Sequence, residues 1–226
     1  MRESDWIVMG ATIILCMINL VYMQLDRISK ENSIKKKILA CIPENKKKIS
    51  CFATMFIFNL ALALLLSQIY SENSAIFYIK RLCLVAILWP IAAIDYKKYV
   101  IPNKLLLLGL GYRVLILFFE LFFERETMLS TVMMELIAAV ALLVVCFIFL
   151  LIMKNSIGAG DIKLIFVMAL FLNLTGLISA VMASLIVSFF ISVTLLLTKK
   201  KTRKDAIPFG PSVLIGTYIS IALMGC

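Results

Sequence analysis

Three carboxylates fall where the chain is otherwise apolar, and an acid in such surroundings is costly and needs a reason. Asp95 closes one apolar run, in Ile91-Ala-Ala-Ile-Asp-Tyr-Lys-Lys-Tyr-Val-Ile-Pro-Asn103. Asp161 opens another, in Ser156-Ile-Gly-Ala-Gly-Asp-Ile-Lys-Leu164. Glu135 lies near the start of a third. The first two sit at opposite kinds of helix end. The C-terminal end of a helix dipole disfavours negative charge at Asp95, while the N-terminal end favours it at Asp161. Carboxylates in environments that push them apart can divide the roles of base and acid. If they meet across a few Å they can share one proton. The chemistry on offer is activation of a water by one carboxylate while the other, protonated, hydrogen-bonds a carbonyl oxygen. Which aspartate takes which role stays open at this level. The ordinary alternative for each, taken singly, is a solvated helix cap.

Neighbouring residues suit such a site. Gly158 and Gly160 permit backbone angles closed to other residues and let a substrate backbone approach. Lys163 offers a nearby positive charge. Pro102 stops the preceding helix and pushes Ile101 to an extended shape. Asn103 can cap the helix that follows. Arg113 and Glu135 lie at similar depth in adjacent runs and are expected to form an interhelical ion pair.

Composition narrows the chemistry further. The chain has 226 residues and no histidine. Ser-His-Asp and Cys-His catalysis need an imidazole, as do HExxH zinc sites and haem on a proximal histidine. Six cysteines form no CxxC pair, and Cys16, Cys83 and Cys146 lie in apolar runs where an inert thiol is usual. Cys41 and Cys51 alone make a weak zinc case, and no metal or cofactor is expected.

The elements that must carry these residues are membrane helices. The chain is 63% hydrophobic and 16% charged, with a mean hydropathy of +1.05, against roughly 45–50% and 25% in an ordinary soluble domain. Apolar runs predict helices over residues 7–25, 49–71, 76–95, 104–123, 129–153, a short one over 162–172, 177–198, and a last one from near Pro211. The expected fold is an all-α polytopic transmembrane bundle of about eight spans, some broken or short near the cytoplasmic face. Lys80 and Arg81, in the first turn of the third span, are expected to snorkel. The net charge of +10 follows from topology. Loops 26–50, 96–104, 154–163 and 199–204 hold 18 of the 23 Lys and Arg, which sets those loops in the cytoplasm and both chain ends outside. The basic loop 26–50 is read as an orientation signal with possible contact to anionic lipid. It has no interleaved aromatics, so no nucleic-acid partner is expected.

Together these motifs resemble a family, the type IV prepilin peptidases among the GxGD membrane aspartyl proteases. Asp95 with Ile101-Pro102-Asn103, and Gly158-Ala159-Gly160-Asp161 with Lys163-Leu164, match its pattern position by position. Ile207-Pro208-Phe209-Gly210-Pro211 resembles the family's Pro/Gly-rich lead-in to the last span. The resemblance runs from about Ile76 to the C-terminus. It implies a two-span region with a basic loop over residues 1–75 and a peptidase core over residues 76–226. It also implies Asp95 and Asp161 as catalytic residues, with Gly158, Gly160, Lys163, Pro102, Asn103, Pro208, Gly210 and Pro211 in support. The implied partner is a prepilin or pseudopilin-like substrate, cut on the cytoplasmic side of a bacterial inner membrane. Full-length members have a longer first loop with paired CxxC motifs, linked to N-methylation of the new pilin N-terminus. Loop 26–50 has only Cys41 and Cys51, which implies a form limited to peptide cleavage. Two other classes fit the residues alone. One is a small transporter or channel with acids at broken helices; the other is a non-catalytic scaffold.

Overall fold

A computed structural model describes residues 3–28, 46–70, 73–152, 158–199 and 205–224. Cys41, Cys226 and most of the basic loops at 26–50 and 199–204 lie outside the described residues. Every regular element among the described residues is an α-helix. They are α1 (Glu3–Ile28), α2 (Lys46–Ile69), α3 (Ala75–Lys98), α4 (Asn103–Phe123), α5 (Arg125–Ile152), α6 (Ala159–Ala169), α7 (Leu174–Leu197) and α8 (Gly210–Met224).

Five of them carry stretches long and apolar enough to cross a membrane: Ile49–Ile69 in α2, α3, α4, Met128–Val145 in α5, and α7. Shorter apolar stretches occupy Trp6–Val21 and Gly210–Leu223. The chain is a multi-pass membrane protein. α6 differs, because its 11 residues rise only about 16 Å, roughly half of a bilayer's ~30 Å hydrocarbon core. Asp161 in its first turn therefore lies outside the spanning helices.

The chain divides into two compact units, Met1–Leu82 and Cys83–Cys226. In the first, α1 packs on α2 through mostly apolar buried residues such as Val8, Leu15, Met55 and Leu62, with buried polar groups among them. Asn59 donates to Cys16 Sγ at 3.6 Å, and Thr12 bonds back to the Val8 carbonyl at 2.7 Å. Lys80 and Arg81 do not snorkel. They are 3% and 5% exposed, and the Arg81 guanidinium stacks 3.7 Å over the Phe77 ring one turn back, a favourable contact for a desolvated cation.

In the second unit α3 is enclosed on all sides from Cys83 to Leu88. A helix apolar all round is one buried all round. α7 and α8 pack most closely. Gly176, Ala180 and Ser184 form one small-residue face and Ser212, Gly216 and Ser220 the other, at helical spacing. Small residues let backbones approach where lipid supplies no hydrophobic drive. A Cβ on Gly216 would stand 2.4 Å from the Ser184 backbone nitrogen. Ser179 and Ser220 share a hydrogen bond across the same seam. Asn173 separates α6 from α7, its side chain capping α7 through the Gly176 N–H at 2.8 Å.

Candidate active site

α3 does not stop at Asp95. It continues to Lys98 and ends on Tyr99, whose backbone turns left-handed (φ 54°) and whose N–H closes on the Asp95 carbonyl at 2.8 Å. This is a helix C-cap built on a residue other than glycine. Pro102 then takes the N-cap position of α4, with extended angles. Asn103 is therefore not the cap expected from the sequence. It is the first helical residue, and its side chain accepts from Lys163 Nζ at 3.4 Å.

Asp95 is 5% exposed. Its Oδ2 accepts the backbone N–H of Gly210, the first residue of α8, at 2.7 Å. A side chain at this position would be crowded. A Cβ at 210 would lie 3.0 Å from both Asp95 Cβ and Oδ2, and 3.3 Å from Ala92 Cα. Gly210 thus acts by contact with Asp95, while Pro211 stands behind it in the first turn of α8, where a missing N–H costs nothing.

Asp161 is the third residue of α6, with Gly158 as N-cap. Its carboxylate folds back onto Gly158 and takes that residue's backbone N–H, one half of a capping box. The fold-back is tight, because a Cβ on Gly158 would meet Asp161 Oδ2 at 2.9 Å. Gly160 serves a second close approach, lying against Ile101, whose Cβ would be 3.2 Å from any added Cβ.

Burial, and then the negative charge of Asp95, push the Asp161 carboxyl above the ordinary carboxylate range, against the lowering effect of the Gly158 hydrogen bond. This overturns the expectation from the helix dipole. The pull of one helix end on a charge is modest, whereas desolvation and a like charge both favour the protonated form.

The two aspartates line one cleft of about 350 Å³. Tyr99, Val100 and Ile101 form one side, and the segment Ala206–Phe209 ahead of α8 forms another. Gly158, Gly160, Lys163, Asn103 and Pro208 are all on its lining. Pro102, Gly210 and Pro211 are not on it. The walls from Tyr99, Val100, Ala206 and Phe209 had no assigned role in the sequence. Their signal was only adjacency to the Ile-Pro-Asn and Pro-Phe-Gly-Pro segments.

Away from the cleft, Arg113 and Glu135 pair as expected, both buried. Glu120 joins Arg113 at 3.0 Å. The spacing of seven residues, two helical turns, puts both on one face and could have shown it. Among the described residues no group of three or more His, Cys, Asp or Glu is placed to hold a metal ion.

No curated protein and no solved structure matches the chain. The profile of the Type IV leader peptidase family matches residues 82–197, a segment containing both aspartates, their motifs and the helices α4 to α7. That segment is half of the chain, and the carboxylate cleft is built largely from it. The chain belongs to the Type IV leader peptidase family and is a membrane peptidase, a hydrolase acting on a protein substrate.

Proposed function

We propose that the protein is an aspartyl endopeptidase that removes the short basic leader from type IV prepilin-like substrates, with Asp95 and Asp161 as its catalytic pair. The observation that carries the reading is the shared cleft. Two acids from different helices line it together, and the charge of one helps the other keep its proton. Family membership supports a peptidase over a transporter or a scaffold.

In the proposed cycle Asp95, as carboxylate, takes a proton from water, and the hydroxide attacks the scissile carbonyl carbon. Asp161, protonated, donates a hydrogen bond to the carbonyl oxygen and stabilises the charge that develops there. As the carbon–nitrogen bond breaks, the proton on Asp95 passes to the departing amine, and Asp161 keeps its own. The net change is addition of one water across one peptide bond.

The Lys and Arg of loops 26–50, 96–104 and 154–163 support a cytoplasmic position for the cleft, in a bacterial inner membrane with the N-terminal end outside. A leader retained in the cytoplasm would reach the site from that side. Residues 1–75 form an N-terminal region and residues 76–226 the peptidase core. The short loop 26–50 supports cleavage without N-methylation.

Reconstitution with a prepilin-like substrate tests this. Wild-type protein should release the leader, with mass spectrometry locating a single cut between the basic leader and the apolar helix. Asp95→Asn and Asp161→Asn should release none. Cleavage at scattered sites, or none by folded wild type, would overturn the reading.

A further inference from the structure

α6 carries a proposed catalytic group yet has little means of holding itself in place. Its 11 residues rise only about 16 Å, too little for the helix to be anchored across the bilayer at both ends. Packing must therefore fix where Asp161 sits. At the far end of α6, Arg113 of α4 donates from Nε to the carbonyl oxygen of Leu170, the C-cap residue, at 2.7 Å. A guanidinium there satisfies a carbonyl that the helix leaves open and complements the negative end of its dipole.

Arg113 is itself clamped. Its Nη1 meets Glu120 Oε2 at 3.0 Å, and its Nε and Nη2 both reach Glu135 Oε2, the first at 3.1 Å. All three side chains are buried. One turn earlier on α4, Gly109 packs on α6, where an added Cβ would lie 3.1 Å from Val167 Cγ1. α4 thus grips α6 at two levels, Gly109 on Val167 and Arg113 on Leu170. A buried ion pair adds little net stability, because desolvation offsets the attraction. This one ends on the backbone of the helix that carries Asp161, which gives the cluster a purpose beyond stability.

We propose that Arg113, held by Glu120 and Glu135, is a positioning residue that sets the axial register of α6 through the Leu170 carbonyl and so fixes the spacing of Asp161 from Asp95. The proposal rests on the reading of these two aspartates as the catalytic pair. A helix transmits an axial slip along its length, so a shift at Leu170 becomes a shift at Asp161. A misplacement of about 1 Å can cost on the order of a hundredfold in rate.

The pH profile separates positioning from plain stability. Among the described residues, the charged and titratable groups that line the cleft with Asp161 are Asp95 from α3, Tyr99 from the connection after it, and Lys163 on α6 itself. Around the other end of α6 stand Arg113 and Glu120 from α4 and Glu135 from α5. The run Leu164–Thr198, which includes all of α7, brings no charge. If α6 slips and Asp161 moves away from Asp95, Asp161 loses the like-charge effect and gives up its proton at lower pH. As the acid, it must be protonated, so the alkaline limb of the kcat profile moves down.

The test uses the full chain reconstituted in bilayers with a prepilin-like substrate. Arg113→Gln should lower kcat by roughly 10- to 100-fold, leave KM within about twofold, and move the alkaline limb to lower pH. Arg113→Lys should restore part of both effects. A loss of kcat that only tracks the folded fraction, with an unmoved limb, overturns the proposal. Should Arg113→Gln fail to fold, Glu135→Gln keeps the guanidinium on Leu170 but loosens its clamp. It must then move the limb the same way by a smaller amount, and an unmoved limb again overturns the proposal. Asp161→Asn measured alongside distinguishes the two failures. Persistent cleavage in that variant sinks the catalytic pair itself. Loss of cleavage there, with unmoved limbs in the Arg113 and Glu135 variants, sinks positioning alone.

Discussion

Replacing Gly210 by alanine adds one methyl group against the proposed base. The new Cβ would stand 3.0 Å from Asp95 Cβ and Oδ2, and 3.3 Å from Ala92 Cα. Carbon atoms rest about 3.5–4.0 Å apart, so the contact with Asp95 Cβ must open by roughly 0.5 Å. Ala92 is backbone in a buried helix and yields little. The opening is then taken by the Asp95 side chain or by the start of α8, and either one stretches the Gly210 N–H···Oδ2 bond from 2.7 Å to the edge of the ordinary hydrogen-bond range, about 3.2 Å. A hydrogen bond to a charged group contributes about 1.5–3 kcal/mol. At roughly 1.36 kcal/mol per factor of ten in rate, losing it in the transition state lowers kcat by on the order of 10- to 100-fold. Steady-state cleavage of a prepilin-like peptide by reconstituted Gly210→Ala protein reads this directly, with circular dichroism confirming the helices. KM should stay near wild type, since the methyl group sits behind Asp95 and off the cleft lining. A kcat within twofold of wild type in folded protein would refute the reasoning that this N–H positions the carboxylate.

Two further outcomes follow from the same contacts. Gly216→Ala places a Cβ 2.4 Å from the Ser184 nitrogen and Oγ, so α7 and α8 must separate. Overpacking of this kind costs about 1–3 kcal/mol, and the thermal midpoint in detergent should fall by several degrees at about 2–4 °C per kcal/mol for a chain of this size; an unchanged midpoint would contradict the tight seam. Asp161→Asn should raise the midpoint at neutral pH while abolishing cleavage. Because the folded protein raises this carboxyl above its ordinary value, ionised Asp161 destabilises the fold, and that cost is absent below the unfolded value and fully felt above the folded one. The gain from asparagine should therefore shrink as pH falls toward the unfolded carboxylate value, and a gain that is flat with pH would contradict the burial of Asp161.

The helices were legible because lipid demands long uncharged runs, and the breaks fall at residues with a mechanism. Asn173 caps α7, and Pro102 stands at the N-cap position of α4, where its fixed φ suits the turn into a helix. The two aspartates were legible for the same reason, since acids stand out in apolar sequence. What surrounds them was not. The walls from Tyr99 to Ile101 and from Ala206 to Phe209 depend on how α3, α6 and α8 meet, which no local pattern encodes. Asp161 holds its proton more tightly than its helix-end position suggests, because burial is a property of packing. Asn103 was expected at the N-cap because its side chain suits that position, but the helix starts one residue earlier, with Pro102 at the N-cap position and Asn103 turned to Lys163. Lys80 and Arg81 were expected to reach for the membrane surface, and a ring one turn back, Phe77, covers Arg81 instead.

The catalytic pair is tested most directly by single-turnover cleavage in Asp95→Asn, Asp161→Asn and the double variant, each shown to be folded and membrane-inserted. Residues that act as one unit are not additive. Each single variant should lose at least about a thousandfold in rate, and the double variant should lose no more than the worse single. Cleavage that survives in either single variant, or losses that multiply in the double, would contradict a shared water activated between Asp95 and Asp161.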